Sequence, residues 1–582
     1  MASLKEELDA ARGRTCIDMV LRRARLVNVF SGEIHLTEIG IDQGKFAGIG
    51  SFPLARQEID LAEKYVIPGL IDAHVHIESS HLCPEEFCSL LLAHGVTTAV
   101  VDPHEIANVL GAEGIRYMLR GVTDLPFNAF VVLPSCVPAT ALETSGARLE
   151  ASDLKEFISH PKVIGLGEVM DYPAVLEARP DMAAKLKLPV SFRDGHAPGI
   201  APQDLNAYYL AGIHTEHECS TATEARERLR RGFHLMLREG SAARNLLDLL
   251  PAVNAENAGR CLLVTDDRQP TDLLNQGSID HLVRLAIQAG QPPVRVIQMA
   301  TINAARALGL QGLGAVAPGF QADFVVLRDL KKFEIETVYW QGKEQSRGGV
   351  RPRFSRKGVD GLTDSVRLGD WRQDKLAVPA GNDGMKARVR VIGVQSHSLV
   401  TSALARELPI KAGFIQPDPE QEIAKIAVLE RHHATGRLGV GFVHGLGLSK
   451  GAIASTVAHD SHNLVVVGMS DAEMDLAIKT CVRMGGGICL VAGTEVIGKL
   501  PLPVAGLMTT ASPEDVARDL ADLHTKAQAL GVSPGVDPFM NLAFLSLPVI
   551  PELKLTDLGL VDVERFCLTE LRLEGKAGPS GA

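Results

Sequence analysis

Val66-Ile-Pro-Gly-Leu-Ile-Asp-Ala-His-Val-His-Ile77 decides the reading of this chain: an apolar run ends in two imidazoles, His74 and His76, two residues apart. On a β-strand alternate side chains leave by one face, so both rings can meet a single cation. His-x-His alone arises by chance in a chain with 19 histidines. Its weight comes from what recurs downstream.

The same design, a β-branched run ending in groups that bind metal or move protons, returns seven times. It is found in Thr97-Thr-Ala-Val-Val-Asp-Pro-His-Glu105, Asn128-Ala-Phe-Val-Val-Leu-Pro-Ser-Cys136, Val163-Ile-Gly-Leu-Gly-Glu168 and Pro189-Val-Ser-Phe-Arg-Asp-Gly-His196. Gly212-Ile-His-Thr-Glu-His-Glu218, His234-Leu-Met-Leu-Arg-Glu-Gly-Ser241 and Cys261-Leu-Leu-Val-Thr-Asp-Asp267 complete the series. Strands separated by helix-length segments predict a (β/α)8 barrel, whose site is built at the C-terminal strand ends. His74, His76, Glu168, His196, His217 and Asp266 then converge as candidate metal ligands. His214, His234 and His281 read instead as hydrogen-bonded core residues.

Composition narrows the function classes. A hydrophobic fraction of 46% with 22% charged residues is that of a soluble globular protein. A net charge of -11 without a basic stripe argues against nucleic acid as a partner. Nine cysteines without a Cys-x-x-Cys pair read as reduced thiols. The charged start Met1-Ala-Ser-Leu-Lys-Glu-Glu-Leu-Asp9 has no signal-peptide core, and no run approaches ~20 apolar residues. No membrane partner and a cytoplasmic location are therefore expected. There is no phosphate loop and no His-Glu-x-x-His. His214-Thr-Glu216 matches half of the cytidine-type deaminase signature, but the Pro-Cys-x-x-Cys half is missing.

Taken together, the chain resembles the amidohydrolase superfamily and, within it, the adenine deaminase family. The matching elements are Pro68-Gly-Leu-Ile-Asp-Ala-His-Val-His-Ile-Glu-Ser-Ser80, Asp102-Pro-His-Glu-Ile-Ala-Asn108, Gly165-Leu-Gly-Glu-Val-Met170, Asp194-Gly-His-Ala-Pro198, Glu216-His-Glu218, Arg238-Glu-Gly-Ser241 and Thr265-Asp-Asp267. Ala300 to Leu310, Gly319 to Leu327 and Gly451-Ala-Ile-Ala-Ser-Thr-Val-Ala-His-Asp-Ser-His-Asn463 extend the match over nearly the whole length. The resemblance implies metal-dependent hydrolysis of adenine to hypoxanthine and ammonia. An N6-substituted adenine, or another cyclic amidine or amide, stays open as substrate because the metal machinery would be shared.

The resemblance further implies a binuclear divalent centre, manganese or iron with zinc also suited to the donors. Glu168 would bridge the two ions where several relatives use a carbamylated lysine. Asp266 is expected to shuttle the proton, with Asp267 open for that role, and His104, Glu105 and Asp267 are assigned to purine recognition. A homodimer is expected.

At 582 residues the chain exceeds one barrel about twofold. The expected architecture is an α/β (β/α)8 barrel over 67–318, a flanking small β-sandwich and an additional C-terminal α+β domain over 384–582. The sandwich draws its strands from 1–66 and 319–383, the latter stretch containing a linker from Lys343 onward. His459-Asp-Ser-His-Asn463, just before an apolar strand, is expected to complete the active site or its mouth.

Overall fold

Leu70–His76 is buried at every position, which is why this run is apolar throughout rather than alternating: a strand of a parallel sheet is covered on both faces. It is β1 of eight parallel strands. The others are β2 (Val96–Val101), β3 (Asn128–Leu133), β4 (Val163–Val169), β5 (Phe192–Gly195), β6 (Thr215–Glu216), β7 (His234–Arg238) and β8 (Cys261–Val264). This is a computed structural model, and it describes residues 3–381, 384–396 and 398–573. Met1, Ala2 and the end of the expected last domain, residues 574–582, lie outside the described residues.

Parallel ladders join β1 to β5 in order, and β6 to β8 in order. Just past β8, Asp266–Asp267 pairs with β1, Asp266 opposite Val75, so the last strand returns to the first. Thr265 strengthens this seam by donating from N (3.2 Å) and Oγ1 (2.5 Å) to the buried Asp72 carboxylate. Between β5 and β6 the backbones approach so closely that a Cβ on Gly195 would lie 2.2 Å from Thr215 O. Glycine is required there. The result is a parallel β/α barrel architecture, with the strands' C-terminal ends at one rim.

The segments before and after these strands share one eight-stranded sheet. Phe324–Asp329 pairs antiparallel with Tyr65–Pro68, which in turn lies beside Ile17–Val27. Lys343–Arg347, expected as the start of a linker, is instead an edge strand paired with Glu334–Trp340. Gln341 (φ 48°) and Gly342 (φ 71°) make the hairpin turn, a left-handed pair suited to the twist of two antiparallel strands. The strand is polar because it lies at an edge and is largely exposed.

The chain divides into two compact units. The first comprises Met1–Pro103, Tyr117–Ser135 and Glu150–Lys357, and the second His104–Arg116, Cys136–Leu149 and Gly358–Ala582. The second unit is built on a nine-stranded sheet, antiparallel except where Lys386–Val394 meets Leu438–His444. The helix Asp471–Arg483, capped by the Ser470 side chain on Glu473 N, buries Met474, Ala477, Ile478 and Cys481 in the core beneath the sheet. Each such larger apolar side chain contributes roughly 1.5–3 kcal/mol. No helix among the described residues is long and apolar enough to cross a membrane.

Candidate metal centre

The strand ends place four groups around one point. His74 and His76 leave β1 on the same face, and each has its Nδ1 committed elsewhere. His74 Nδ1 donates to Asp194 Oδ2 at 2.8 Å and His76 Nδ1 to the Asp102 carbonyl at 2.9 Å. Both Nε2 atoms therefore face inward as lone-pair donors in the neutral form, only 3.1 Å apart. Asp266 Oδ1 is 3.6 Å from His74 Nε2 and 3.0 Å from His76 Nε2. Glu168 Oε1 is 3.9 Å and 3.3 Å from the same atoms. Two facing imidazole lone pairs beside two carboxylate oxygens repel unless a positive charge lies among them. This donor set fits a divalent cation.

The other oxygen of Glu168 serves a second set. Oε2 lies 2.6 Å from His196 Nδ1 and 3.4 Å from His217 Nε2. One carboxylate thus faces both groups of donors, and all six sequence-designated ligands, His74, His76, Glu168, His196, His217 and Asp266, come together in the first unit.

Protons respond to this crowding. Burial raises the Glu168 carboxyl, but the charge on His196 and hydrogen bonds from His196, His217 and His76 overcome it and hold it well below the usual range. Asp266 behaves likewise, burial being outweighed by His74, His76 and Arg238. Burial lowers His196, yet Glu218 and Glu168 bring it up to about 9. Without a cation the imidazole proton supplies the positive charge, so a metal must displace it on binding.

Residues absent from the sequence-based set hold these ligands. Asp102 is fully buried and does two tasks: its carbonyl orients His76, and its Oδ2 accepts the Glu168 N–H at 2.9 Å. Asp194, oriented by Thr215 Oγ1 at 2.6 Å, aims His74. Their signal was present, each aspartate preceding a candidate histidine by two residues in Asp-Pro-His and Asp-Gly-His. Asp266 adopts φ 59°, a left-handed backbone that costs ~1–2 kcal/mol in most residues and is retained where the aim of a side chain matters. Arg238, the last residue of β7, donates from Nη1 to Asp266 Oδ2 at 2.9 Å and to Glu218 Oε1.

The residues assigned to purine recognition divide. Asp267 adjoins the cluster, with an oxygen near His76 and Asp266, and accepts Ser79 Oγ at 2.5 Å. His104 and Glu105 belong to the second unit. There Glu105 Oε1 lies 3.3 Å from His459 Nδ1 and Oε2 3.9 Å from His462 Nε2, all three side chains buried. This groups the His459-Asp-Ser-His-Asn463 motif with Glu105. His462 Nδ1 accepts the Ala458 N–H at 3.1 Å, which leaves the proton of a neutral ring on Nε2. His462 Nε2 therefore turns an N–H rather than a lone pair toward Glu105, at 3.9 Å and beyond hydrogen-bond reach. His214, His234 and His281 stand apart from the cluster, but none is a core residue: His214 is exposed and the other two are half-buried.

Residues 65–344 match the amidohydrolase family and 398–567 the adenine deaminase C-terminal domain. "Adenine deaminase 2" of Carboxydothermus hydrogenoformans is 52% identical over 98% of this chain and 100% of its own length. The adenine deaminase of Listeria monocytogenes serovar 1/2a is 46% identical over 97% of this chain and 98% of its own. Among solved structures, a beta-aspartyl dipeptidase of Fervidobacterium islandicum covers 59% of this chain and 99% of its own at 18% identity and a TM-score of 0.44.

Proposed function

The chain belongs to the adenine deaminase family, and from that premise we propose that it hydrolyses adenine to hypoxanthine and ammonia at the cluster spanned by Glu168. The observation that carries the reading is the pair of donor sets meeting at the two oxygens of Glu168. A pair of divalent cations there, manganese or iron with zinc also suited to the donors, would supply hydroxide near neutral pH by lowering the pKa of water from 15.7 towards ~7.

Adenine C6 is a poor electrophile, and the amine must leave with a proton. In the reaction a C6–O bond forms and the C6–N6 bond breaks. One proton of the attacking water passes to a ring nitrogen, where hypoxanthine keeps it, and the other leaves with the departing ammonia. Asp266 is assigned this transfer: it lies within the first donor set, while Arg238 fixes its other oxygen. A positioned general base of this kind is worth ~10²–10⁴-fold in rate. Glu168 holds the two sets in register. Asp267, His104 and Glu105 are assigned to the purine ring, Asp267 supported by its hold on Ser79.

In the finer architecture, the eight-stranded sheet is read as the flanking β-sandwich and the second unit as the C-terminal α+β domain. A cytoplasmic homodimer completes the proposal. The location is supported by nine cysteines, none in a disulfide among the described residues and seven of them buried, as expected of a reducing compartment.

The test is turnover of adenine by metal-reconstituted protein, followed by ultraviolet absorbance and ammonia release. Adenine is expected to exceed adenosine and 6-methyladenine by far, since ribose and an N6 substituent add bulk to a site built for the free base. Faster turnover of either competitor would overturn the substrate assignment.

A further inference from the structure

The first donor set has four members, His74 Nε2, His76 Nε2, Glu168 Oε1 and Asp266 Oδ1. The second has three from the six ligands already described, Glu168 Oε2, His196 Nδ1 and His217 Nε2. A fourth oxygen lies beside it. Glu218 Oε1 is 3.6 Å from His196 Nδ1 and 3.5 Å from His217 Nε2. Donors held ~2.1 Å from a tetrahedral cation stand about 3.4 Å from one another. Both Glu218 separations fall at that spacing.

Consecutive residues of an extended strand point to opposite faces, so His217 and Glu218 could not both face the cluster if β6 continued. The chain bends instead. Glu216 is fully buried, forms an ion pair with Arg228 at 3.3 Å, and accepts the Glu218 N–H at 2.8 Å. That turn brings the next two side chains to the same cluster. Arg238 then fixes Glu218 with a two-pronged grip, Nη1 on Oε1 and Nη2 on Oε2 at 3.2 Å. The same Nη1 reaches Asp266 Oδ2 at 2.9 Å. One guanidinium, itself buried, joins the terminal carboxylates of both donor sets. A planar fork suits this task and a lysine point charge does not.

We infer that Glu218 is a seventh ligand of the centre, completing a four-donor second position, and that Arg238 is the positioning residue that aligns Glu218 with Asp266. The inference rests on the metal-dependent reading of the cluster but not on its substrate.

Metal-free full-length protein titrated with Mn²⁺, the free ion counted by electron paramagnetic resonance, tests it without reference to turnover. The unaltered chain should take up two ions. Glu218→Gln, which keeps the shape and removes the charge, should hold one ion as before and bind the second at least ~10-fold more weakly. Glu218→Asp, the variant to use if Gln impairs folding as judged by melting, should show the same selective loss. Arg238→Lys, which gives up the two-pronged grip on Glu218 and loosens a single bond to Asp266, should weaken the second ion more than the first. Two outcomes overturn the inference: both ions bound by folded Glu218→Gln as tightly as by the unaltered chain, or both ions lost together. An unaltered chain that binds two ions yet leaves adenine intact would instead sink the function and leave this ligand assignment standing.

Discussion

A single methyl group at position 167 tests how the fold sets its bridging carboxylate. A Cβ built on Gly167 would lie 2.2 Å from Asp102 Oδ2 and 2.7 Å from its Cγ, against the ~3.5–4.0 Å of an unstrained contact. Over 1 Å of movement is required, and Asp102 has nowhere cheap to go. It is fully buried, its Oδ2 is bound to Glu168 N–H, and its carbonyl holds His76. Swinging the carboxylate aside orphans a buried donor at a cost of ~1–3 kcal/mol, and overpacking adds ~1–3 kcal/mol. The sum for Gly167→Ala is roughly 4 kcal/mol, well beyond a typical substitution. If Glu168 moves instead, a displacement of ~1 Å costs ~10²-fold in rate. Denaturant unfolding, metal content and turnover measured together check this. Gly259→Ala serves as the control, because a Cβ there meets nothing within 4 Å; it should stay within ~0.5 kcal/mol of the parent. Gly167→Ala with parental stability, metal and turnover would refute the claim that Asp102 rigidly locks the bridge.

Two further outcomes separate roles. Glu168→Gln should lose metal and activity together, whereas Asp266→Asn should lose activity while keeping much of the metal, since a bridge loses charge toward two cations and a shuttle loses only a basic oxygen. Plasma emission decides between them, and full metal content in inactive Glu168→Gln removes Glu168 from the bridge. In the second unit, burial pulls the Lys554 amine down to about 7. Its nitrogen is 3.0 Å from each of two acceptors, the Leu399 and Phe544 carbonyls, which match the two N–H bonds of a neutral amine. An unfolded lysine titrates near ~10.4. Between about 7 and ~10.4 the unfolded chain therefore holds the extra proton and stability rises with pH; below about 7 both states are protonated and the contribution is flat. Melting temperatures at pH ~7 and ~9.5 should rise more for the parent than for Lys554→Met, and parallel shifts would show that Lys554 is charged in the folded chain.

The barrel strands were legible because burial on both faces leaves an uninterrupted apolar run, as in Leu70–His76 and Cys261–Val264. The candidate ligands could be proposed from sequence because each falls at the polar end of such a run. Lys343–Arg347 escaped because a largely exposed edge strand needs no apolar alternation and reads as a linker. The membership of His104–Arg116 and Cys136–Leu149 in the second unit depends on contacts made by residues more than two hundred positions away, such as Asn463 Nδ2 donating to the Thr144 carbonyl, and no local pattern encodes that. Glu218 was hidden for a different reason. Strand alternation assigns the residue after a ligand to the opposite face, and only the bend at Glu216 reverses this. Arg238 ends a strand as an ordinary polar residue would, and its task is visible only when Glu218 and Asp266 are seen on either side of it.

The central claim, a two-cation centre bridged by Glu168 that deaminates adenine, is tested most directly by titrating metal-free protein with Mn²⁺ while following hypoxanthine formation. The account predicts that turnover of adenine climbs until two ions are bound per chain and then levels off. Full turnover with one ion bound, or none at any metal loading, would contradict it.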